Sequence, residues 1–82
     1  MEGKMKSVEE ITESALGLKP GSIKDEDSAL TVSEWDSLGH LKVLTELDIE
    51  FDGKLAEIDA LADATSIKEI KAILHAKGML GG

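Results

Sequence analysis

Trp35-Asp36-Ser37-Leu38-Gly39-His40-Leu41-Lys42-Val43-Leu44-Thr45-Glu46-Leu47-Asp48-Ile49-Glu50-Phe51 is the stretch that decides the fold. Leu41, Leu44, Leu47 and Phe51 recur at helical spacing, with Val43 at their flank, so residues 37–51 are predicted to form an amphipathic helix with that stripe inward. Asp36 has the chemistry of a helix N-cap, a short carboxylate able to accept the unpaired amides of the first turn. Ser37 then takes the first helical position, its hydroxyl outward at the positive end of the helix dipole, where a phosphate ester is favoured. That makes Ser37 the candidate working residue. Leu38, Lys42, Thr45 and Ile49 trace a second line on a different flank. Leu38 and Ile49 either pack under a neighbouring loop or belong to a docking face.

The flanking chain supplies partners for this helix. Met5, Val8, Ile11, Ala15 and Leu16 predict a first helix over about residues 5–16, closed by Gly17. The capping-box pair Ser7 and Glu10 allows a start one turn later. Leu18-Lys19-Pro20-Gly21 ends helical pattern and opens a long connection to residue 36. Leu18, Ile23, Ala29, Leu30 and Val32 are the apolar anchors expected to pin that connection, with a helical turn near Ser22–Asp25. Asp52-Gly53 stops the central helix. Leu55, Ile58, Leu61 and Ala62 suggest a short helix within 55–63. Ser66 and Glu69 have capping-box spacing ahead of Ile67, Ile70, Ile73 and Leu74, so a last helix is expected over 66–77, stopped by Gly78. The fold class expected is all-α: a small four-helix bundle of three main helices and one short one, with a long loop between the first two. One domain spans residues 1–82, its ordered core about 5–77 and its tail 78–82.

Composition narrows the function. Eighty-two residues without cysteine leave no disulfide, thiolate zinc site or cysteine nucleophile. No apolar run approaches the roughly 18–20 residues of a membrane span, and residues 1–7 lack the apolar segment of a secretory signal. A cytoplasmic monomer is the expectation. The net charge of −8 argues against nucleic-acid binding, which needs cationic surface. Nine acids (Glu34, Asp36, Glu46, Asp48, Glu50, Asp52, Glu57, Asp59, Asp63) face only Lys42 and Lys54 over residues 34–63. This is either an ordinary solvated face or a field that steers basic partners to the central helix.

Catalytic chemistry finds little footing. His40 and His75 have no neighbouring Cys or Glu at ligand spacing, and both are expected on the surface without a metal or catalytic role. Ser37 lacks a general base with an orienting acid. There is no nucleophile elbow, glycine-rich phosphate loop or zincin motif, so a non-enzymatic protein is expected. The segment Asp48–Asp59 comes near a calcium loop, with oxygens at positions one, three and five and Gly53 at six. Ala56 at position nine and Asp59 at position twelve depart from it. A helical interaction or calcium-responsive module, with Asp36-Ser37 only as an N-cap, is therefore the alternative to a modified serine.

Asp36-Ser37-Leu38, near mid-chain after Leu16-Gly17-Leu18 and an anchored loop, opens a helix ending Glu50-Phe51-Asp52 and followed by a short and then a capped helix. Over about residues 5–77 this resembles the acyl and peptidyl carrier proteins. The resemblance implies that Ser37 carries a covalent 4′-phosphopantetheine arm, installed from coenzyme A by a phosphopantetheinyl transferase, whose thiol holds acyl groups as thioesters for biosynthetic enzymes. Asp36 and Leu38 match the motif and would be read by the transferase and by acyl-processing enzymes with basic docking surfaces. Asp48 matches an acidic partner-contact position and Leu55 an apolar one; Ile49 occupies a further helix place commonly acidic in the family, as does Lys42. Glu34-Trp35 stands where fatty-acid carriers usually have a glycine. Trp35 to His40 is closer to free-standing carriers of dedicated lipid, polyketide, amino-acyl or surface-polymer pathways.

Overall fold

A computed structural model describes residues 7–78. Three α-helices make its frame: α1 (Val8–Leu16), α2 (Ser37–Glu50) and α3 (Ile67–Ala76). No β-strand occurs among the described residues, and a lone bridge pairs Ser28 with Ser66. The chain is all-α. In place of the short third helix stand two 3-10 segments, Lys54–Glu57 and Asp59–Asp63, broken at Ile58. Four or five residues make too few bonds to repay helix nucleation, and the tighter turn closes the short span between α2 and α3.

The helix ends follow their caps. Ser7 and Glu10 form a reciprocal capping box, Ser7 N–H donating to Glu10 Oε1 at 2.8 Å and Glu10 N–H to Ser7 Oγ at 3.1 Å. Ser7 is extended, so α1 begins at Val8 and not at residue 5; Met5 and the tail beyond Gly78 lie outside the described residues. Gly17, at φ 73°, closes α1 in the left-handed conformation, with Leu18 N–H donating to the Glu13 carbonyl at 2.8 Å. At α3, Ser66 Oγ accepts Glu69 N–H at 3.1 Å, but Glu69 Oε1 reaches the Ser66 hydroxyl instead of its amide. α2 ends in two left-handed residues, Asp52 at φ 59° and Gly53 at φ 79°.

The core gathers Val8 and Ile11 of α1, Val43 and Leu47 of α2, Ile67, Ile70 and Leu74 of α3, and Trp35, Phe51, Leu55 and Leu61 from the connections. The inward face of α2 is turned by about one residue from the predicted stripe. Gly39, His40, Val43 and Leu47 are buried, Leu44 is half-buried, and Leu41 is 59% exposed. The cause lies at the start of the helix, where Trp35 and His40 both turn inward.

The long loop is held by polar bonds as well as apolar anchors. Glu13 is buried on α1, and its Oε2 accepts the amides of Gly21 and Ile23, each at 2.9 Å. Ile23 is buried, and Leu18, Ala29 and Val32 pack at the edge of the core, whereas Leu30 stands 96% exposed. Turns at 19–22 and 24–27 replace the predicted helical turn. Farther on, Ala29 N–H donates to the Thr65 carbonyl at 2.8 Å and Ile67 N–H to the Asp27 carbonyl at 3.1 Å, so the loop is stitched to the start of α3. Lys71 of α3 completes the tie, bonded to Glu9 of α1 at 2.7 Å and to loop Asp25 at 2.5 Å.

Candidate functional site

Asp36 is extended and its Oδ1 accepts Gly39 N–H at 2.8 Å, the N-cap bond its position predicts. Ser37 follows as the first helical residue, exposed, and among the described residues its hydroxyl makes no hydrogen bond. Asp36 and Leu38 beside it are also exposed. A free hydroxyl at a helix start, between two exposed motif residues, is therefore offered to solvent on a well-defined mount.

The mount is held in place in three ways. Gly39 lets α2 approach the preceding loop: a Cβ there would fall against the Glu34 carbonyl oxygen and 2.9 Å from Leu16 Cδ2. Trp35, 1% exposed, carries its amide to the Val32 carbonyl at 3.0 Å and its indole N–H to His40 Nδ1 at 3.0 Å. His40 Nε2 lies 2.9 Å from the Leu61 carbonyl oxygen. His40, expected on the surface, is thus buried and fully bonded, because an indole N–H five residues earlier supplies the partner its ring needs. The sequence carried the signal for this pairing in one donor-only indole near one imidazole; hydropathy patterning does not register it.

Clefts flank the serine's helix. One, ≈ 450 Å³, lies beside Ser37 between Trp35, His40, Ala62 and Thr65. The other, ≈ 570 Å³ and mostly apolar, runs between α2 and the 3-10 segments, lined by Leu44, Thr45, Asp48, Leu55, Ile58 and Leu61. Leu38, Leu41 and Ile49 remain 63%, 59% and 68% exposed, so no described loop covers that side of α2. Leu55, singled out as a partner contact, is 5% exposed and packs in the core while lining this apolar cleft. Asp48 is half-buried, and its Oδ1 accepts Leu55 N–H at 3.2 Å, which fixes the turn after α2.

The near-calcium loop does not take a loop's shape. Its first three residues continue α2, its position-one carboxylate is engaged by the Leu55 amide, and Lys54–Glu57 is a 3-10 segment. Among the described residues no group of three or more His, Cys, Asp or Glu side chains is arranged to hold a metal. No described helix is long and apolar enough to cross a membrane.

Comparison with known protein families, with curated proteins and with solved structures finds no match. The function is therefore read from the site's own geometry.

Proposed function

We propose that this chain is a carrier protein: Ser37 Oγ is the attachment point of a 4′-phosphopantetheine arm, and the protein presents acyl groups held on that arm to biosynthetic enzymes. The observation that carries the reading is the exposed, unbonded Ser37 hydroxyl on the capped first turn of α2. The residues present fit such a group. The hydroxyl lies on an exposed residue, the helix start favours the ester's negative charge, and a cleft beside Ser37 offers both apolar wall and polar edge. When bound, the arm supplies a thiol, which this cysteine-free chain lacks.

The protein's own work in this reading is presentation, not catalysis. Asp36 holds the first turn, Ser37 bears the ester, and Leu38, Leu41 and Ile49 offer apolar contacts amid the acidic surface of α2. Basic docking enzymes would be drawn by charge and oriented by those contacts. The long loop before α2 and the short 3-10 segments before α3 support this reading. The apolar cleft behind α2 has room for part of a cargo chain.

Intact-mass measurement after incubation with coenzyme A and a broad-specificity phosphopantetheinyl transferase tests the proposal. The expected result is a gain of one phosphopantetheine, abolished by Ser37→Ala. An unchanged mass sides with the unmodified interaction module, and a gain that survives Ser37→Ala overturns Ser37 as the attachment point.

A further inference from the structure

We propose that His40 is a positioning residue for Ser37, clamping the serine's mount to the wall of the apolar cleft; this rests on the carrier reading. Trp35 lies two residues before Ser37 and His40 three after, so the pair brackets the serine. Indole can only donate, so His40 Nδ1 is the acceptor of the 3.0 Å bond from Trp35 Nε1. The ring proton is then on Nε2 and is donated across 2.9 Å to the Leu61 carbonyl. That carbonyl also accepts Ala64 N–H at 3.1 Å, which holds it in the second 3-10 segment. Indole, imidazole and carbonyl form one directed chain from the serine's loop to the segment whose Leu61 lines the apolar cleft.

A leucine at position 40 would bury as readily without the desolvation cost of a polar ring. What apolar contact does not provide is direction: it is proportional to area and indifferent to angle, whereas hydrogen bonds weaken steeply with misalignment. The chain through His40 therefore fixes the rotation of the first turn of α2, and with it the angle between the Ser37 hydroxyl and the exposed flank of Leu38, Leu41 and Ile49. An enzyme that grips that flank finds the serine at a set place, and ångström-scale misplacement is costly to a transfer reaction. Trp35 and Leu61 are the partners through which His40 acts; it does not touch the reacting atoms.

The test compares wild type, His40→Leu, His40→Gln and Trp35→Phe by thermal melting, by ¹⁵N relaxation at the Ser37 and Leu38 amides, and by kcat and KM of Ser37 modification. The imidazole of the wild type should be protonated on Nε2 in its ring ¹⁵N spectrum; an Nδ1–H ring overturns the proposal. Folded His40→Leu should show exchange broadening at Ser37 and Leu38, and a kcat roughly ten-fold lower with KM within about two-fold. His40→Gln, with one acceptor and one donor, should regain most of the rate. Modification of folded His40→Leu at the wild-type rate overturns the proposal, as does an equal loss in the Gln and Leu variants, the mark of a merely structural residue. Should His40→Leu not fold, Trp35→Phe decides: it keeps a buried ring without the donor, and wild-type kcat there overturns the clamp. A wild type that gains no mass refutes the carrier reading itself, an outcome separate from any difference among variants.

Discussion

At the scale of single residues, the first turn of α2 is set by contacts that a hydropathy profile does not weigh. Gly39 is required because the loop before Ser37 crosses against it, not for a left-handed backbone. Gly39→Ala should destabilise the protein by about 1–3 kcal/mol, since a methyl there must displace backbone as well as the Leu16 side chain. A denaturant melt checks it, and an unchanged midpoint would contradict the close approach. Glu13 is a second such residue: a charged group on α1, buried because two loop amides need an acceptor. Glu13→Ala leaves those amides unpaired and should cost about 1–3 kcal/mol, the desolvation penalty of unmade bonds, again read from the melt. Neither residue belongs to an apolar stripe. Both are legible only when the loop is seen lying where it does.

Among the elements, α2 carries two faces with different duties. Val43 and Leu47 are in the core, whereas Leu38 and Ile49 reach solvent. Leu38→Glu or Ile49→Glu should therefore leave the melt within about 0.5 kcal/mol while slowing modification of Ser37; a large loss of stability would assign these side chains to packing. The junction of α1, the long loop and α3 is electrostatic at its rim. The Lys71 ammonium, through its hydrogen bond and charge, holds the Asp25 carboxyl below its ordinary value of 3.8. The hydrogen bonds that Lys71 donates to Asp25 and Glu9 hold it above its own ordinary value. A carboxylate depressed in the folded state contributes stability above the unfolded value, lost as pH falls through the folded one. The raised lysine contributes below its unfolded value and loses that contribution as pH rises through the folded one. The stability gap between wild type and Lys71→Met should thus be widest at neutral pH and narrow below about 3.8 and at strongly alkaline pH. Because Asp25 is solvent-exposed the gap should be small and fade with salt. A gap independent of pH would place the role of Lys71 in its aliphatic stem.

For the molecule as a whole, a small aliphatic core makes each buried residue matter. Leu47 of α2 is completely buried in the core, and Leu47→Ala should cost about 2–5 kcal/mol, a large share of what a domain of this size has; a denaturant midpoint close to the wild type's would show the site able to collapse. Much of this architecture was legible beforehand. The spacing of Val8 and Ile11, of Leu41, Leu44, Leu47 and Phe51, and of Ile67, Ile70 and Leu74 determined three helices, because a 3.6-residue period puts such residues on one side of a helix whatever their neighbours. Asp36, Ser7, Ser66 and Gly17 determined the helix ends, because capping is a bond between residues close in sequence. The exposed start at Ser37 followed from the same local rule. The rotation of α2, the burial of His40 with Trp35, the withdrawal of Leu55 into the core, and the exposure of Leu30 and Leu41 were decided only by the tertiary structure. Each depends on a partner far along the chain or on the path of a loop: His40 reaches Leu61 across 21 positions, and Leu30 is turned outward while Ala29 beside it is stitched to Thr65. Local periodicity determines which residues can share a face. Which face turns inward is settled by the directed bonds and close approaches that form when distant segments meet.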